Sequence, residues 1–60
     1  MKIKDIWQAV AHEELVIITK NGGEIIGNLW KDDVDKPELL EREIVLMKAL
    51  EKRVIMFEVK

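Results

Sequence analysis

Apolar residues recur at helical spacing over the first part of the chain. Ile3, Ile6, Trp7 and Val10 fall at positions i, i+3, i+4 and i+7, which places them on one face of a helix. The pattern predicts a first helix of about three turns, from Ile3 to His12. A helix this short is stable only when its apolar stripe packs against another element.

The segment that follows has the pattern of a β-hairpin. Two apolar runs rich in β-branched residues, ELVIITK and GEIIGNLW, flank Asn21 and Gly22. Asn-Gly favours a two-residue turn because both residues accept a positive φ. That turn predicts that Gly22→Val is more destabilising than Gly23→Val. The cross-strand pairs expected from it are Ile18 with Ile25, Ile17 with Ile26, and Val16 with Gly27.

The C-terminal half of the chain allows two interpretations. KDDVDKPELLE is charged, contains the only proline and is expected to be a loop, with room for one helical turn after Pro37. As a helix, residues 37–52 would place Leu40, Ile44, Met47 and Leu50 on one face. As strands, EIVLMKA and RVIMFEV would form a second hairpin that turns near Glu51-Lys52. An apolar run of this length suits either structure, so the pattern alone does not decide between them.

Composition and charge narrow the class of protein. With 60 residues the chain is expected to form one domain, residues 1–60, whose small core needs reinforcement. There is no cysteine for a disulfide or thiolate metal site, which leaves association as the expected reinforcement. The net charge is −2, and the sequence has no cluster of basic residues of the kind that binds nucleic acids. No apolar run approaches about 18 residues, so we expect a cytoplasmic protein without a membrane segment.

Residues 15–33, LVIITKNGGEIIGNLWKDD, resemble the first motif of Sm-like RNA-binding proteins. In that motif a strand, an Asn-Gly or Asp-Gly turn and a strand with a central glycine precede an aspartate; Gly22, Gly27 and Asp33 occupy these places. The chain departs from the family at the positions that contact RNA. Pro37 replaces an asparagine, and KRVIMFEV lacks the Arg-Gly pair. The resemblance implies an alternative function, a small Sm-like or SH3-like barrel that binds RNA.

The whole chain is similar, in a looser pattern, to small uncharacterised proteins of phages and prophages of Gram-positive bacteria. Those proteins start with Met-Lys-Val-x-Asp-Leu and end with an Arg-Glu-Val strand, a short turn and a strand of Ile and Val. Here Asp5, residues 42–44, Ala49 and residues 55–59 carry the likeness. The resemblance implies an accessory protein that docks on a host or phage protein. It also favours the second hairpin over the second helix.

No group of residues forms a catalytic, cofactor or metal signature. His12 is the only histidine, and the chain has no Ser or Cys nucleophile for it to activate. Asp32, Asp33 and Asp35 lack the ligand spacing of a calcium loop and are expected to be solvated. We therefore expect a protein that is not an enzyme and binds no cofactor or metal.

The final strand and the second tryptophan are the predicted interaction surface: Trp30, Met56 and Phe57. Trp30 ends a strand beside the charged loop, and tryptophan is enriched at interface hot spots. Met56 and Phe57 are neighbours, so they face opposite sides of a strand, one covered by the helix and one shared with a partner. Because one short helix shields only one face of a sheet, we expect a two-fold homodimer.

The sequence therefore predicts an α+β fold, with the N-terminal helix packed on a four-stranded antiparallel sheet of two hairpins. The alternative is a helix, a hairpin, a second helix at residues 37–52 and a final strand. The predicted function is a non-enzymatic protein-interaction module.

Overall fold

The chain alternates helical segments with hairpins. The computed structural model describes residues 1–60, which is the whole chain. Its elements, in order, are helix α1 (Ile3–Ile6), a 3₁₀ helix (Trp7–Ala9), strands β1 (Leu15–Lys20) and β2 (Glu24–Trp30), a second 3₁₀ helix (Pro37–Glu41), and strands β3 (Ile44–Glu51) and β4 (Val54–Val59). The predicted short N-terminal helix and four-stranded sheet are confirmed.

The N-terminal helix is shorter than the predicted span of residues 3–12. The carboxylate of Asp5 accepts a hydrogen bond from the backbone N–H of Lys2 at 2.9 Å, which caps the first turn. The helical turns end at Ala9, and Val10 is already extended, with φ −75° and ψ 128°. Val10 is β-branched and a weak helix former. Leaving the helix there places its side chain in the core.

The first hairpin turns through three residues rather than the predicted two. Asn21, Gly22 and Gly23 have φ values of 53°, 80° and 140°. Lys20 pairs with Glu24 across this loop. The N–H of Gly23 donates to the carbonyl oxygen of Lys20 at 3.2 Å. The predicted location of the turn is therefore right, and its predicted length is wrong.

A β-bulge shifts the register of this hairpin. Thr19 pairs with Ile25, but the residue before it, Ile18, pairs with Gly27. Ile26 therefore has no partner in β1. The longer turn moves every pair by one residue, and the bulge moves the pairs from Ile18 onward by one more. Gly27 then lies against Leu39, where a Cβ atom would be 2.4 Å from Cδ1 of the leucine. The glycine thus makes room for a core leucine. The predicted pairs are wrong in all three cases: Ile18 with Ile25, Ile17 with Ile26, and Val16 with Gly27.

The second hairpin exists, and the alternative helix at residues 37–52 is wrong. Only the first five residues of that span are helical, as a 3₁₀ helix. Glu51 pairs with Val54, so the turn lies at Lys52-Arg53, one residue later than predicted. Consecutive apolar residues suit strands that place side chains on both faces of a sheet.

A parallel pair of central strands joins the two hairpins. The strand order is β2-β1-β4-β3. Leu15 lies opposite Val54 and Lys20 opposite Val59 in the parallel pair of β1 and β4. The sheet is therefore mixed, and the predicted purely antiparallel sheet is wrong. Residues 31–43 cross the sheet from β2 at one edge to β3 at the other, and β3 runs parallel to β2. Because β4 is antiparallel to β3, it runs parallel to β1.

One face of the sheet holds the core. Its buried apolar residues are Ile3, Val10, Val16, Ile18, Leu29, Leu39, Phe57 and Val59. Leu39 belongs to the crossover, and ion pairs of 3.4 Å and 3.2 Å join Lys2 and Lys4 of the N-terminal segment to Glu41 of that crossover. Hydrogen bonds from Lys4 and Lys2 hold the pKa of Glu41 below its ordinary value. The N-terminal segment and the crossover thus form one layer.

We expect Gly23→Val to destabilise the fold more than Gly22→Val, the reverse of the order that a two-residue turn predicts. A φ of 140° is open almost only to glycine, whereas a φ of 80° lies nearer the left-handed region. Neither added Cβ meets an atom within 4 Å, so the cost is backbone strain, about 1–3 kcal/mol. Thermal melts of both variants test this order, and equal melting temperatures would contradict it.

Candidate interaction surface

The sheet face opposite the core carries no covering layer. Residues that pair across strands share a face, so the strand pairings define this surface, which we call the open face. Its residues form three rows across the sheet: Trp30, Leu15, Val54 and Glu51; Asn28, Ile17, Met56 and Lys48; Ile25, Thr19, Glu58 and Leu46.

The open face is apolar at its centre. Ile17 and Met56 pair across β1 and β4, and both are half-buried. Three large side chains toward its edges are more exposed: Trp30 at 54%, Ile25 at 61% and Leu46 at 52%. Thr19 and Glu58 lie between Ile25 and Leu46. The apolar side chains make the open face the candidate interaction surface.

One carboxylate of the open face has a structural role. Glu58 accepts hydrogen bonds from the hydroxyl of Thr19 at 3.1 Å and from the backbone N–H of Gly22 at 3.2 Å. These bonds join the turn of the first hairpin to β4. They also satisfy the hydroxyl of Thr19, which is buried. The Asn-Gly-Gly turn therefore directs one of its N–H groups at a carboxylate of the protein itself.

The structure separates the three residues of the predicted interaction surface. Trp30 lies at the end of β2 and pairs with Leu15 on the open face. Met56 lies at the centre of the same face. Phe57 has no exposed area and lies in the core on the opposite face. Alternation along a strand predicted that Met56 and Phe57 would lie on opposite faces of the sheet. The N-terminal helix packs on the face that carries Phe57, so Phe57 is covered and Met56 is not.

Sequence reasoning missed Ile25 and Leu46. The predicted register paired Ile25 with Ile18, whose side chain is buried, whereas the three-residue turn places Ile25 opposite Thr19 on the open face. Leu46 follows a second bulge, between Ile44 and Leu46 in β3. All four residues of the run IVLM are apolar, so the sequence does not show which of them face the core. The bulge also exchanges the two faces for the residues that follow it.

His12 and the acidic loop meet in the structure. Nδ1 of His12 lies 2.6 Å from Oδ1 of Asp32, and Oδ2 of Asp32 accepts a hydrogen bond from the N–H of Glu13 at 3.0 Å. These two bonds, the one with His12 first, hold the pKa of Asp32 below its ordinary value. Both side chains were expected to be solvated, and both are exposed. Their pairing had no sequence signal because 20 positions separate them.

The His12–Asp32 pair resembles the histidine and carboxylate of a catalytic triad, but it has no nucleophile beside it. An imidazole held by a carboxylate acts on a neighbouring hydroxyl or thiol. Thr19 carries the only aliphatic hydroxyl in the chain, and it donates to Glu58. No three His, Asp or Glu side chains are positioned to hold a metal ion. The pair instead joins the segment before β1 to the loop after β2.

Comparison of this chain with protein-family profiles, curated proteins and solved structures finds no match. No helix has the length and apolarity needed to cross a membrane. What the protein does is therefore inferred from its own surfaces.

We expect His12→Ala to raise the pKa of Asp32 toward its ordinary value, because the largest cause of its lowering is then removed. A folded-state pKa below the unfolded value stabilises the protein above about pH 4. That contribution is lost as the pH falls through the folded pKa. Carbon NMR titration of the Asp32 carboxyl group measures the change. Glu13→Gln is the control, since it keeps the backbone N–H bond, and a pKa unchanged in His12→Ala would contradict the assignment.

Proposed function

We propose that this protein is a non-enzymatic protein-interaction module of the cytoplasm that docks through its open face. The observation that carries the proposal is an apolar sheet face, centred on Ile17 and Met56, that no element of the chain covers. The likeness to small phage and prophage proteins of Gram-positive bacteria supports an accessory role. Its partner in that role is a host or phage protein.

The first partner of the open face is a second copy of the chain. Four strands about 4.8 Å apart and about six residues long present roughly 400 Å² in projection. Two such faces together remove about 800 Å² before side-chain relief is counted, which is below the roughly 1,200 Å² of standard specific interfaces and is typical of weak contacts. A two-fold axis uses the same patch on both subunits. The expected dimer is therefore weak and reversible.

Sedimentation equilibrium across the micromolar to millimolar range tests the dimer. We expect concentration-dependent association of the unmodified chain, and a folded monomer for Trp30→Asp and for Met56→Asp, because each places a charge inside the contact. Phe57→Asp should unfold the chain, since Phe57 is in the core. Circular dichroism of each variant separates loss of folding from loss of association.

Met47→Asp is the matched control for the dimer. Met47 is 60% exposed, but it pairs with Phe57 and so faces the helix side of the sheet. It should leave association unchanged. A single species at the monomer mass of 7.0 kDa over the whole range, or equal association of Trp30→Asp, would contradict self-association through the open face.

Docking on another protein has its own test. A photoreactive amino acid at position 30 should form cross-links to a host or phage polypeptide in Gram-positive cells, because Trp30 is exposed at the edge of the open face. The same amino acid at position 38, which is exposed on the crossover, is the control. Cross-links at position 30 to the chain itself alone, with none to another polypeptide, would contradict the docking role and leave self-association.

A further inference from the structure

β3 is an edge strand whose side chains are exposed on both faces of the sheet. Of the seven large apolar side chains that are exposed in this chain, four lie on β3: Val45, Leu46, Met47 and Leu50. The other edge strand, β2, carries two, Ile25 and Trp30. An apolar edge strand with unpaired backbone groups is a template for the addition of another strand. The outer side of β3 is therefore a second candidate surface for binding.

The beginning of this outer side already binds an extended segment of the chain itself. Lys2 and Glu43 form an antiparallel bridge. Beside them the N–H of Ile44 donates to the carbonyl oxygen of Met1 at 2.7 Å. The outer side of β3 thus accepts an antiparallel neighbour, but the N-terminal residues cover it only as far as Ile44. Residues 45–51, which we call the free edge, have no strand beside them.

Backbone groups of the free edge point outward at alternate residues. The carbonyl oxygen of Arg53, just before β4, accepts a hydrogen bond from β1 at 2.8 Å, whereas the N–H of Lys60, just after β4, donates toward β3 at 3.1 Å. Odd-numbered residues of β4 therefore bond to β1, and even-numbered residues bond to β3. Met47 and Ala49 pair with odd-numbered residues of β4. Their N–H and C=O groups consequently point away from the sheet.

Lys48 determines the charge that the free edge favours. It lies between the two outward-pointing residues, it is exposed, and it pairs with Met56, so its side chain is on the open face. The ion pairs of the chain involve other cations. Opposite charges that lie directly across from each other on neighbouring strands stabilise the pair of strands. An added strand with an acidic residue opposite Lys48 is therefore favoured.

A second copy of β3 is a poor partner for the free edge. Pairing through both outward-pointing residues places Met47 of each copy opposite Ala49 of the other. The two Lys48 side chains then lie directly opposite each other, where like charges are destabilising. Bulges at Val45 and Leu50 also limit the regular part of the edge to residues 46–49. These features favour a short segment of a different polypeptide.

We propose that the free edge of β3 binds an extended segment of a partner polypeptide, with an acidic residue at its centre, as an added antiparallel strand. This inference rests on the proposed function as a protein-interaction module, and it names a partner chemistry for a surface at the edge of the sheet. The residues on either side of the acid exchange backbone hydrogen bonds with Met47 and Ala49, and the acid lies opposite Lys48.

Two synthetic peptides test the charge that the free edge selects. The first is acetyl-Thr-Val-Glu-Val-Thr-amide, and the second has lysine in place of glutamate. In nitrogen–proton NMR titrations we expect the glutamate peptide to slow hydrogen exchange at the amides of Met47 and Ala49, because these N–H groups gain acceptors. The amide of Lys48 already bonds to β4 and should change little. The lysine peptide should bind about three- to tenfold more weakly.

Two variants show whether Lys48 is responsible for the preference. Lys48→Glu should reverse it, so that the lysine peptide binds more tightly than the glutamate peptide. Lys36→Glu is the matched control, because Lys36 is an exposed lysine of the crossover and its replacement changes the net charge equally. It should keep the original preference. Thermal melts of both variants confirm that folded chains are compared.

N-methylated peptides distinguish strand addition from other modes of binding. In the proposed complex the N–H of each valine points at the free edge, and the N–H of the glutamate points away from it. N-methylation of the valine on the C-terminal side of the glutamate should therefore abolish binding. N-methylation of the glutamate should leave it nearly unchanged. Equal effects of the two methyl groups would contradict strand addition.

Other results of the titrations would also overturn the proposal. These are unchanged exchange at Met47 and Ala49 with several millimolar peptide, and equal affinity for the glutamate and lysine peptides. Without peptide, slow exchange at these two amides that increases with protein concentration would mean that β3 pairs with a second copy of itself.

Failure of the free edge and failure of the open face give different results. The glutamate peptide should bind Trp30→Asp as it binds the unmodified chain, because Trp30 lies on β2 at the opposite edge of the sheet. A monomeric chain that binds the peptide would remove the dimer and keep the free edge. A dimer without peptide binding would do the reverse.

Discussion

A four-stranded sheet has two faces, and the rest of this chain covers one of them. The residues outside the strands that contribute to the core, Ile3, Val10 and Leu39, all lie on the same side. A chain of 60 residues buries only about 60% of the surface that its unfolded form exposes. The position of this single layer decides that Phe57 is core and that Met56 is surface. It also produces the open face.

The crossover, residues 31–43, covers the core and also sets the strand order. To serve as cover, residues 31–43 must cross the sheet from β2 to β3, and that path makes the central strands parallel. Exposed ion pairs mark where the layer is joined, with Glu41 bound by Lys2 and Lys4, and Glu43 bound by Lys60. Each such pair contributes little free energy. Together they position the N-terminal segment beside the crossover and the end of β4.

The open face has an apolar part and a polar part. Leu15, Val54, Ile17 and Met56 lie side by side on the two central strands. Beyond them the hydroxyl of Thr19 donates to Glu58. The apolar part suits association with an equally apolar face.

Local patterns in the sequence determined the kinds of element and their order. Apolar spacing located the start of the helix at Ile3, and Asn21-Gly22 located the first turn, because both signals depend on neighbouring residues. The same alternation showed that Met56 and Phe57 would face opposite sides of β4. Tertiary structure decided the rest: the bulge at Ile26, the parallel central pair and the His12–Asp32 contact. Each of these joins residues that are far apart in the sequence. Gly27, for example, leaves space for Leu39, and the two meet only after the crossover has folded across the sheet.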